Sequence, residues 1–449
     1  MKFSKTHHYW ALYSWSKSVY SLVISTAIFP LYYERITSSI QESIYFHGPE
    51  WSEMVVNSYI KTASFFGFEW RNTVIYSYTI ATSYLLISIL SPFLGSLADS
   101  YGRRKSLLML FLLIGSSSTS LLYFLTPENV ELGLILSFTA SVGFAGSYIF
   151  YNSYLPVIAE KSMHDKLSGY GFAMGYFGSA LLLIFCLIMI LFPVNFGLEN
   201  EFIAMRTAFL ITGMWWMVFG FWSVFQLPKD RPKPIPSLKA SIVTPFSGLR
   251  AVWLELKSDK SLSVFLSSFF WYSTGMQTII LLASIFGAKV LGLEINQLIT
   301  SILIIQFVAI LGVYVFTKLG ARIGTIQSIT VGVGIWMGIC LAAYFVQSAI
   351  QFYIIAALVG LVLGAVQSLS RSTFSKMVAE KGKNSTYFSF YDVIEKVATT
   401  IGMFSIGILE AITGDLRNAA IALTLFFAVG LIQIFRVIRI HKKSASYTD

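Results

Sequence analysis

The chain has 449 residues, of which 12% are charged, 55% hydrophobic and 16% aromatic. No water-soluble domain of this length stays in solution with such a balance, so lipid is the expected solvent for most of the chain. The formal net charge of +10 does not indicate nucleic-acid binding, because the lysines and arginines form short clusters between apolar runs instead of one basic face.

Taken in chain order, the apolar runs predict twelve membrane-spanning helices. A helix needs roughly 20 apolar residues to cross about 30 Å of hydrocarbon. The first run is about 24 residues long and lacks a small-residue cleavage site, so it predicts a retained helix and not a signal peptide. The runs do not alternate in polarity, which excludes a β-barrel. The predicted spans are 10–33, 72–97, 105–125, 131–155, 167–193, 206–227, 262–288, 295–317, 324–347, 350–370, 386–410 and 418–438.

Small residues spaced four apart occur in several of these runs. Such pairs let two helix backbones approach closely, and we interpret them as helix-packing positions. The pairs are Gly171/Gly175, Gly334/Gly338 and Gly360/Gly364.

The distribution of basic residues predicts the orientation, because lysine and arginine resist translocation. With the N-terminus inside, cytoplasmic segments contain 24 of the 32 basic residues and the opposite loops contain 6. Twelve crossings then place both termini in the cytoplasm. The predicted protein is an integral multi-pass membrane protein, in the plasma (inner) membrane if the source is bacterial, and a monomer whose surroundings are the lipid bilayer.

Two polar interruptions divide the chain. The stretch 228–261 contains five prolines and seven basic residues, and predicts a basic cytoplasmic linker between a six-helix half at 1–227 and another at 262–449. Two six-helix halves are typical of a transporter that rocks around a central site. The loop 34–71 faces outside and is rich in glutamate; we expect a solvated cap and assign it no chemistry.

A motif stands between the second and third predicted helices. It reads Gly95-Ser-Leu-Ala-Asp99-Ser-Tyr-Gly102-Arg103-Arg104-Lys105 and resembles the major facilitator superfamily pattern Gly-x-Leu-x-Asp-Arg-x-Gly-Arg-Arg/Lys, with serine in place of the first arginine. Glycine permits a tight turn, and the aspartate can face the positive end of a neighbouring helix. In the family that neighbour is the eleventh helix, which makes the loop a cytoplasmic latch.

Further patches resemble the branch of that superfamily that contains the autophagy-linked vacuolar amino-acid effluxers and their bacterial relatives. The resemblance implies import or export of amino acids or related small molecules. The patches are Tyr13-Ser-Trp15-Ser-Lys17-Ser-Val-Tyr20, Tyr151-Asn152-Ser-Tyr-Leu155-Pro156, Ser168-Gly169-Tyr-Gly171, Gly275-Met-Gln277-Thr278 and Gln367-Ser-Leu-Ser370-Arg371-Ser372. Lys17 stands where that branch usually has asparagine, and Glu395 where it usually has glycine.

Ionisable residues inside a helix bundle cost several kcal/mol, so each one is a functional candidate. Lys17 in the first helix and Asp392, Glu395 and Lys396 in the eleventh lie at similar depths. Asp392 and Lys396 have i,i+4 spacing and can pair within one helix. We hypothesise that Lys17 and Glu395 form an exchangeable pair that a solute carboxylate or a proton can displace; the alternative is a permanent structural ion pair.

Polar side chains near these charges are further candidates for contacting a solute. Helices one, four, seven and ten line the cavity in the superfamily, so each of these side chains is placed to bind solute, with interhelical hydrogen bonding as the alternative. Two tyrosines flank Lys17 and pack either on a solute or on the eleventh helix. The candidates are Asn152, Gln277, Gln367 and Arg371, with Tyr13 and Tyr20.

Other classes of protein find little support. We see no nucleophile with a base, no metal cluster and no phosphate-binding loop, so the sequence predicts no enzyme, no cofactor and no metal. An ion gradient, with the proton as a candidate coupling ion, or the solute's own gradient then drives transport. A nutrient sensor that binds solute on a transporter fold without turnover is the rival interpretation.

Overall fold

The structure is a computed structural model that describes residues 2–47, 53–65, 67–234, 237–413 and 416–445. Over these residues the chain is mainly helical. The α-helices are α1 Lys5–Val19, α2 Phe29–Ile36, α3 Asn72–Tyr101, α4 Arg104–Leu121, α5 Val130–Ser153, α6 Leu155–Ile158, α7 His164–Leu191, α8 Glu201–Gln226, α9 Leu238–Ser258, α10 Lys260–Leu291, α11 Ile295–Ile323, α12 Thr325–Tyr344, α13 Ala349–Val378, α14 Asn384–Thr413 and α15 Leu416–Ala445.

The first predicted span is not one regular helix. A π-helix at Tyr20–Ile28 joins α1 to α2, and Pro30 follows at the second position of α2. Proline lacks the N–H that would continue the hydrogen-bond ladder, but it is tolerated in a first turn. Lys17 therefore lies in the last turn of a regular helix, just before the π-helix begins.

Nine helices in the described part of the chain are long and apolar enough to cross a membrane. A tenth crossing exists if Lys260–Ile280 and Ile285–Leu291 of α10, bent by 56°, form one span. The first and eleventh predicted spans fall outside this set. A π-helix interrupts the first. Both segments contain ionisable residues within the predicted spans.

The segment 34–71 contains regular structure that the glutamate-rich sequence did not suggest. Three antiparallel strands, Ser38–His47, Glu53–Phe65 and Phe68–Arg71, form a sheet in the order β1-β2-β3. The expectation of a solvated cap included no strands, although the β-branched and aromatic residues of β1 and β2 favour them. We call the end of the bundle next to this sheet, where α3 begins, the hairpin face. The opposite end, where α3 meets α4, is the linker face.

Buried apolar side chains form separate cores in the two parts of the chain. One cluster draws its members from residues 252–437, whereas two others draw theirs from 10–227. α9 joins the first of these clusters through Val252 and Leu256. The interpretation of 228–261 as only a polar interruption missed this helix, because Pro245 and the basic residues obscure its apolar stripe.

The glycine pairs differ in what surrounds them. A Cβ atom built at Gly360 would lie 2.7 Å from the carbonyl oxygen of Ile305, and one at Gly175 would lie 2.6 Å from Ser18 Oγ. Both glycines are therefore helix-packing positions, as the spacing predicted. No atom lies within 4 Å of the corresponding positions at Gly334 and Gly338. That part of the prediction was wrong, because these two glycines face open space instead of a neighbouring helix.

Candidate functional site

Lys17 is a buried cation in an aromatic setting. Its side chain is 4% exposed, and Nζ lies 3.8 Å from the ring centroid of Tyr148, 4.8 Å from that of Phe144 and 5.6 Å from that of Tyr151. These rings stand at i, i+4 and i+7 on α5, a spacing that puts them on one helix face. Among the described residues, no carboxylate lies within 4.0 Å of Nζ. Cation–π attraction is worth about 2 kcal/mol when desolvated, so the rings compensate only part of the cost of burial.

The charged residues of α14 have partners on their own side of the bundle. Lys396 forms an ion pair with Asp392 at i,i+4, as the sequence suggested. Glu395 accepts a hydrogen bond from the Nε2 atom of Gln277 on α10. The predicted contact between Lys17 and Glu395 is absent from this conformation, because Gln277 binds the carboxylate and the α5 rings enclose the amine. The two opposite charges still interact through space.

The tyrosines that flank Lys17 pack toward α5 and α8, not toward the eleventh predicted helix. The ring of Tyr13 stacks on Tyr151 at a centroid distance of 5.3 Å. The Tyr20 hydroxyl lies 2.8 Å from Ser141 Oγ, and its ring lies 5.6 Å from Trp216. Both tyrosines thus pack against α5, the helix whose rings surround Lys17.

Arg371 on α13 is a second buried cation, 2% exposed, and its donors are better satisfied. Nε donates to Ser168 Oγ at 2.9 Å and Nη2 to the Ser168 carbonyl at 2.8 Å. Nη1 donates to Asn152 Oδ1 at 3.0 Å, and the Trp10 ring lies 5.0 Å from the guanidinium carbon. The arginine thereby joins α13 to α1, α5 and α7.

Gln367 extends the same connection toward the middle of the bundle. Its Oε1 accepts a hydrogen bond from the Tyr176 hydroxyl of α7 at 3.2 Å. Both side chains are only partly buried, as are Glu395, Gln277 and Tyr148. Partial exposure this far from the helix ends indicates that these groups border an open space inside the bundle.

The loop motif between α3 and α4 meets the start of α14. Asp99 accepts hydrogen bonds from the backbone N–H groups of Ser385 at 3.1 Å and Thr386 at 2.7 Å. A carboxylate at the first N–H groups of a helix interacts favourably with the helix dipole. Arg104 Nη2 lies 3.5 Å from Asp99, and its Nε donates to Ser385 Oγ at 3.1 Å. The motif therefore contacts the eleventh predicted helix, as in the family pattern.

Two glycines of the motif permit close backbone approaches, one to α14 and the other to the linker. A Cβ atom at Gly95 would lie 2.6 Å from the Ser385 carbonyl oxygen, and one at Gly102 would lie 2.3 Å from that of Arg231. Gly102 ends α3 with a φ of +61°, in the left-handed region. Arg103, by contrast, has a buried Nε with no hydrogen-bond partner in the described part of the chain, so the adjacent basic residues do not act alike.

Asp165 is a linker-face residue that the sequence analysis did not identify. Its carboxylate accepts hydrogen bonds from Ser372 Oγ at 2.6 Å, Lys376 Nζ at 2.6 Å and Thr325 Oγ1 at 2.7 Å. One acid of α7 thereby binds both α12 and α13. Only its position one residue into α7 distinguished it in sequence, whereas the α5 rings around Lys17 were detectable from their spacing.

Comparison with known proteins confirms both resemblances drawn from the motifs. The family model described as "Vacuole effluxer Atg22 like" matches residues 4–446. The MFS-type transporter YxiO of Bacillus subtilis is 28% identical over 443 residues, which cover 96% of this chain and 94% of YxiO. Autophagy-related protein 22 of Coccidioides immitis is 23% identical over 76% of this chain and 68% of its own length.

Solved structures extend the comparison to the fold. The major facilitator superfamily transporter FucP in its outward conformation has a TM-score of 0.68 at 14% identity, covering 96% of this chain and 97% of FucP. At that identity the likeness concerns the fold alone. The chain is thus a multi-pass membrane protein with the major facilitator fold, and it belongs to the Atg22-like vacuole effluxer family.

Proposed function

We propose that this chain is a secondary transporter that carries amino acids or related small solutes across the membrane by alternating access. It would cross the membrane twelve times, with both termini in the cytoplasm and with the halves 1–227 and 262–449 moving about the linker 228–261. Two observations support this proposal: the family membership and the excess of basic residues on the linker face, which is then the cytoplasmic face.

The observation that carries the proposal is the pair of opposite charges across the central space. Lys17 belongs to the first half and has no carboxylate within 4.0 Å among the described residues. Glu395 belongs to the second half and is bound by the neutral Gln277. An amino-acid solute has a carboxylate for the amine and an ammonium group for the acid. Binding it would connect the two halves through the solute itself.

The contacts of the linker face supply the gate in this proposal. Asp99, Asp165 and Arg371 each bond to the opposite half. The structure then represents a state closed toward the cytoplasm, and solute export or import requires these bonds to break. A proton that neutralises Glu395 could couple to this step, because it removes one of the two charges that bind the solute.

A counterflow experiment in proteoliposomes tests the function. Purified protein is first screened against amino acids, peptides and sugars by thermal shift, because a ligand of the folded state raises its stability. Exchange of the labelled hit is then measured for wild type, Lys17→Gln and Glu395→Gln. Loss of a hydrogen bond to a charged group costs about 1.5–3 kcal/mol, so we expect uptake at low solute concentration to fall about 10- to 100-fold.

Two exposed residues provide matched controls. Lys166→Gln and Glu199→Gln remove the same charges from positions that are exposed to solvent, and we expect both variants to exchange solute like wild type. Wild-type exchange by Lys17→Gln and Glu395→Gln would refute the proposed site. Binding of solute without any exchange by the wild type would refute transport and establish the nutrient-sensor alternative.

A further inference from the structure

The linker helix α9 has a sequence pattern that its packing in the bundle does not explain. At 3.6 residues per turn, its residues fall on three faces. One face is buried and includes Val252 and Leu256. The second, which we call the aromatic flank, is exposed and consists of Val243, Phe246, Arg250, Trp253, Leu254 and Lys257. The third, the small-residue flank, is also exposed and consists of Thr244, Ser247, Ala251 and Ser258.

The buried face fixes α9 to both halves of the bundle. Val252 and Leu256 belong to the core of residues 252–437. At the other end of the helix, the Pro245 carbonyl accepts a hydrogen bond from Ser96 Oγ of α3 at 2.7 Å. Lys381 adds an ion pair with Glu255 at 2.8 Å. The position of α9 is therefore determined by specific contacts and not by the connecting chain alone.

The pKa of Lys381 reflects the ion pairs that attach α9 to the bundle. Partial burial acts to lower its pKa, but hydrogen bonds to the Glu255 and Asp259 carboxylates outweigh burial and raise the pKa above the usual lysine value. The lysine therefore stays charged at physiological pH. Glu255, the acidic residue of α9, and Asp259, which follows the helix, thus pair with Lys381 on the bundle side and not with the basic residues of the aromatic flank.

The aromatic flank lies at the level of the membrane. The Phe246 ring is 5.5 Å from that of Phe93 in α3, and the Trp253 ring stacks on that of Phe390 in α14 at 5.8 Å. α3 has 30 residues and so measures about 45 Å, against about 30 Å of hydrocarbon. If the excess is shared between the ends, Phe93 lies about 5 Å inside the hydrocarbon.

The apolar residues of this flank are too exposed for a helix surrounded by water. Val243 is 54%, Phe246 56%, Trp253 47% and Leu254 55% exposed. An interfacial helix buries such residues about 5–10 Å into the boundary between headgroups and acyl chains. The lipid-facing surface of α3 continues the flank, because Ile89 is also 67% exposed.

The two cations of the flank have no counter-ion among the residues that the structure describes. No described carboxylate lies within 4.0 Å of Arg250 or Lys257. The Lys257 Nζ lies 5.0 Å from the Trp253 ring centroid, which aligns the ammonium group with the aromatic side chain. Basic residues beside interfacial aromatic residues attract anionic lipid headgroups.

We propose that α9 is an interfacial helix that binds anionic phospholipid in the leaflet at the linker face. Arg250 and Lys257 contact the phosphate groups, while Phe246, Trp253 and Leu254 enter the acyl-chain boundary. Because α9 contacts Ser96 in the first half and the core of the second, bound lipid stabilises the arrangement in which the linker face is closed.

The depth of the flank is tested with an environment-sensitive fluorophore. Single cysteines replace Trp253 on the aromatic flank or Ala251 on the small-residue flank, in a background with Cys186→Ala and Cys340→Ala. In vesicles of phosphatidylglycerol and phosphatidylcholine, we expect brominated acyl chains to quench the label at 253 and aqueous iodide to quench the label at 251. Equal quenching of both labels by iodide would overturn the proposal, and would instead leave the flank free for a protein partner.

Lipid selectivity is tested by titrating detergent-solubilised protein with phosphatidylglycerol and following its thermal stability. At about 1 kcal/mol per basic residue, Arg250→Gln with Lys257→Gln should weaken the response about 10- to 30-fold. The control, Lys229→Gln with Arg231→Gln, removes the same charges from exposed linker positions outside α9. An equal response of the two double variants would refute the lipid site. The fluorophore variants retain both cations, so their result does not depend on whether the neutral variant folds.

Discussion

Buried charges have different kinds of partners at the linker face and at the centre of the bundle. At the linker face, Arg371 has three hydrogen bonds and Asp165 accepts three, all within ordinary distances. At the centre, Lys17 lies against aromatic rings and Glu395 has an amide for a partner. A buried charge with a full set of hydrogen bonds holds the two halves in one arrangement. A buried charge with an incomplete set remains able to bind a solute.

This contrast explains how one bundle combines a firm closed state with a responsive site. Removing a partner from a satisfied buried network leaves polar groups without hydrogen bonds and destabilises the fold. Removing an unpaired buried cation relieves a desolvation cost. Stability and transport should therefore respond in opposite ways to substitutions in the two regions.

The largest effect on stability is expected at Arg371. Arg371→Gln leaves the Ser168 carbonyl and the Asn152 amide without their donor, and a hydrogen bond to a charged group is worth about 1.5–3 kcal/mol. We expect a loss of about 3 kcal/mol in the free energy of unfolding, measured by denaturation in detergent. Lys17→Gln should leave the stability unchanged or raise it.

Arg322→Gln is the control for this comparison, because it removes an exposed arginine from the linker-face end of α11. It should unfold like wild type. If Lys17→Gln destabilised the protein as much as Arg371→Gln, the distinction between the two regions would be incorrect, and Lys17 would be a structural cation.

An intermediate effect is expected at the contact of α3 with α14. In Gly95→Ala, the new methyl carbon would lie 2.6 Å from the Ser385 carbonyl oxygen, which is closer than van der Waals contact allows. Overpacking costs about 1–3 kcal/mol and should shift the population away from the closed linker face. Spin labels at positions 166 and 322 would measure this as a longer distance distribution.

The same labels in Gly334→Ala provide the matched comparison, because no atom lies within 4 Å of that glycine's added Cβ. Its distance distribution should equal that of the parent protein. An unchanged distribution in Gly95→Ala would show that the α3–α14 contact does not limit opening of the linker face.

The smallest effect is expected at the ion pair of Lys161 with Glu380. These side chains connect the two halves at 2.6 Å, but they are 48% and 83% exposed. Solvent screens exposed pairs, and many contribute nothing measurable. Glu380→Gln should therefore change neither the unfolding midpoint nor the label distances, whereas Asp165→Asn should change both. Equal effects of the two variants would contradict the ranking of these contacts by burial.

The sequence predicted the helices more completely than the charge partners. Apolar length located most of the spans, since each helix must satisfy its own backbone in lipid. It could not reveal α9, because Pro245 divides a short stripe whose apolar residues serve both the core and an exposed flank. Nor did it reveal the three strands, since hydropathy does not register pairing between β1 and β2.

The sequence predicted which residues form the candidate site, but not which of them contact each other. The depth of Lys17 and Glu395 suggested a direct pair, yet depth along two helices does not determine which sides face each other. The rings at 144, 148 and 151 on α5 instead surround the amine. Their i, i+4, i+7 spacing was visible in the sequence, whereas the three donors to Asp165 come from separate helices and had no local signal.

The π-helix Tyr20–Ile28 determines how the first span responds to a change in its length. Its hydrogen bonds reach one residue further than those of an α-helix, so the segment accommodates an additional residue within a helical span. Deleting one residue here would allow an ordinary helix to form, with α1 and α2 in nearly the same relative orientation, because the wider turns had absorbed that residue. Lys17 would then stay against the rings of α5, whereas the same deletion in an uninterrupted α-helix would turn the amine by about 100°.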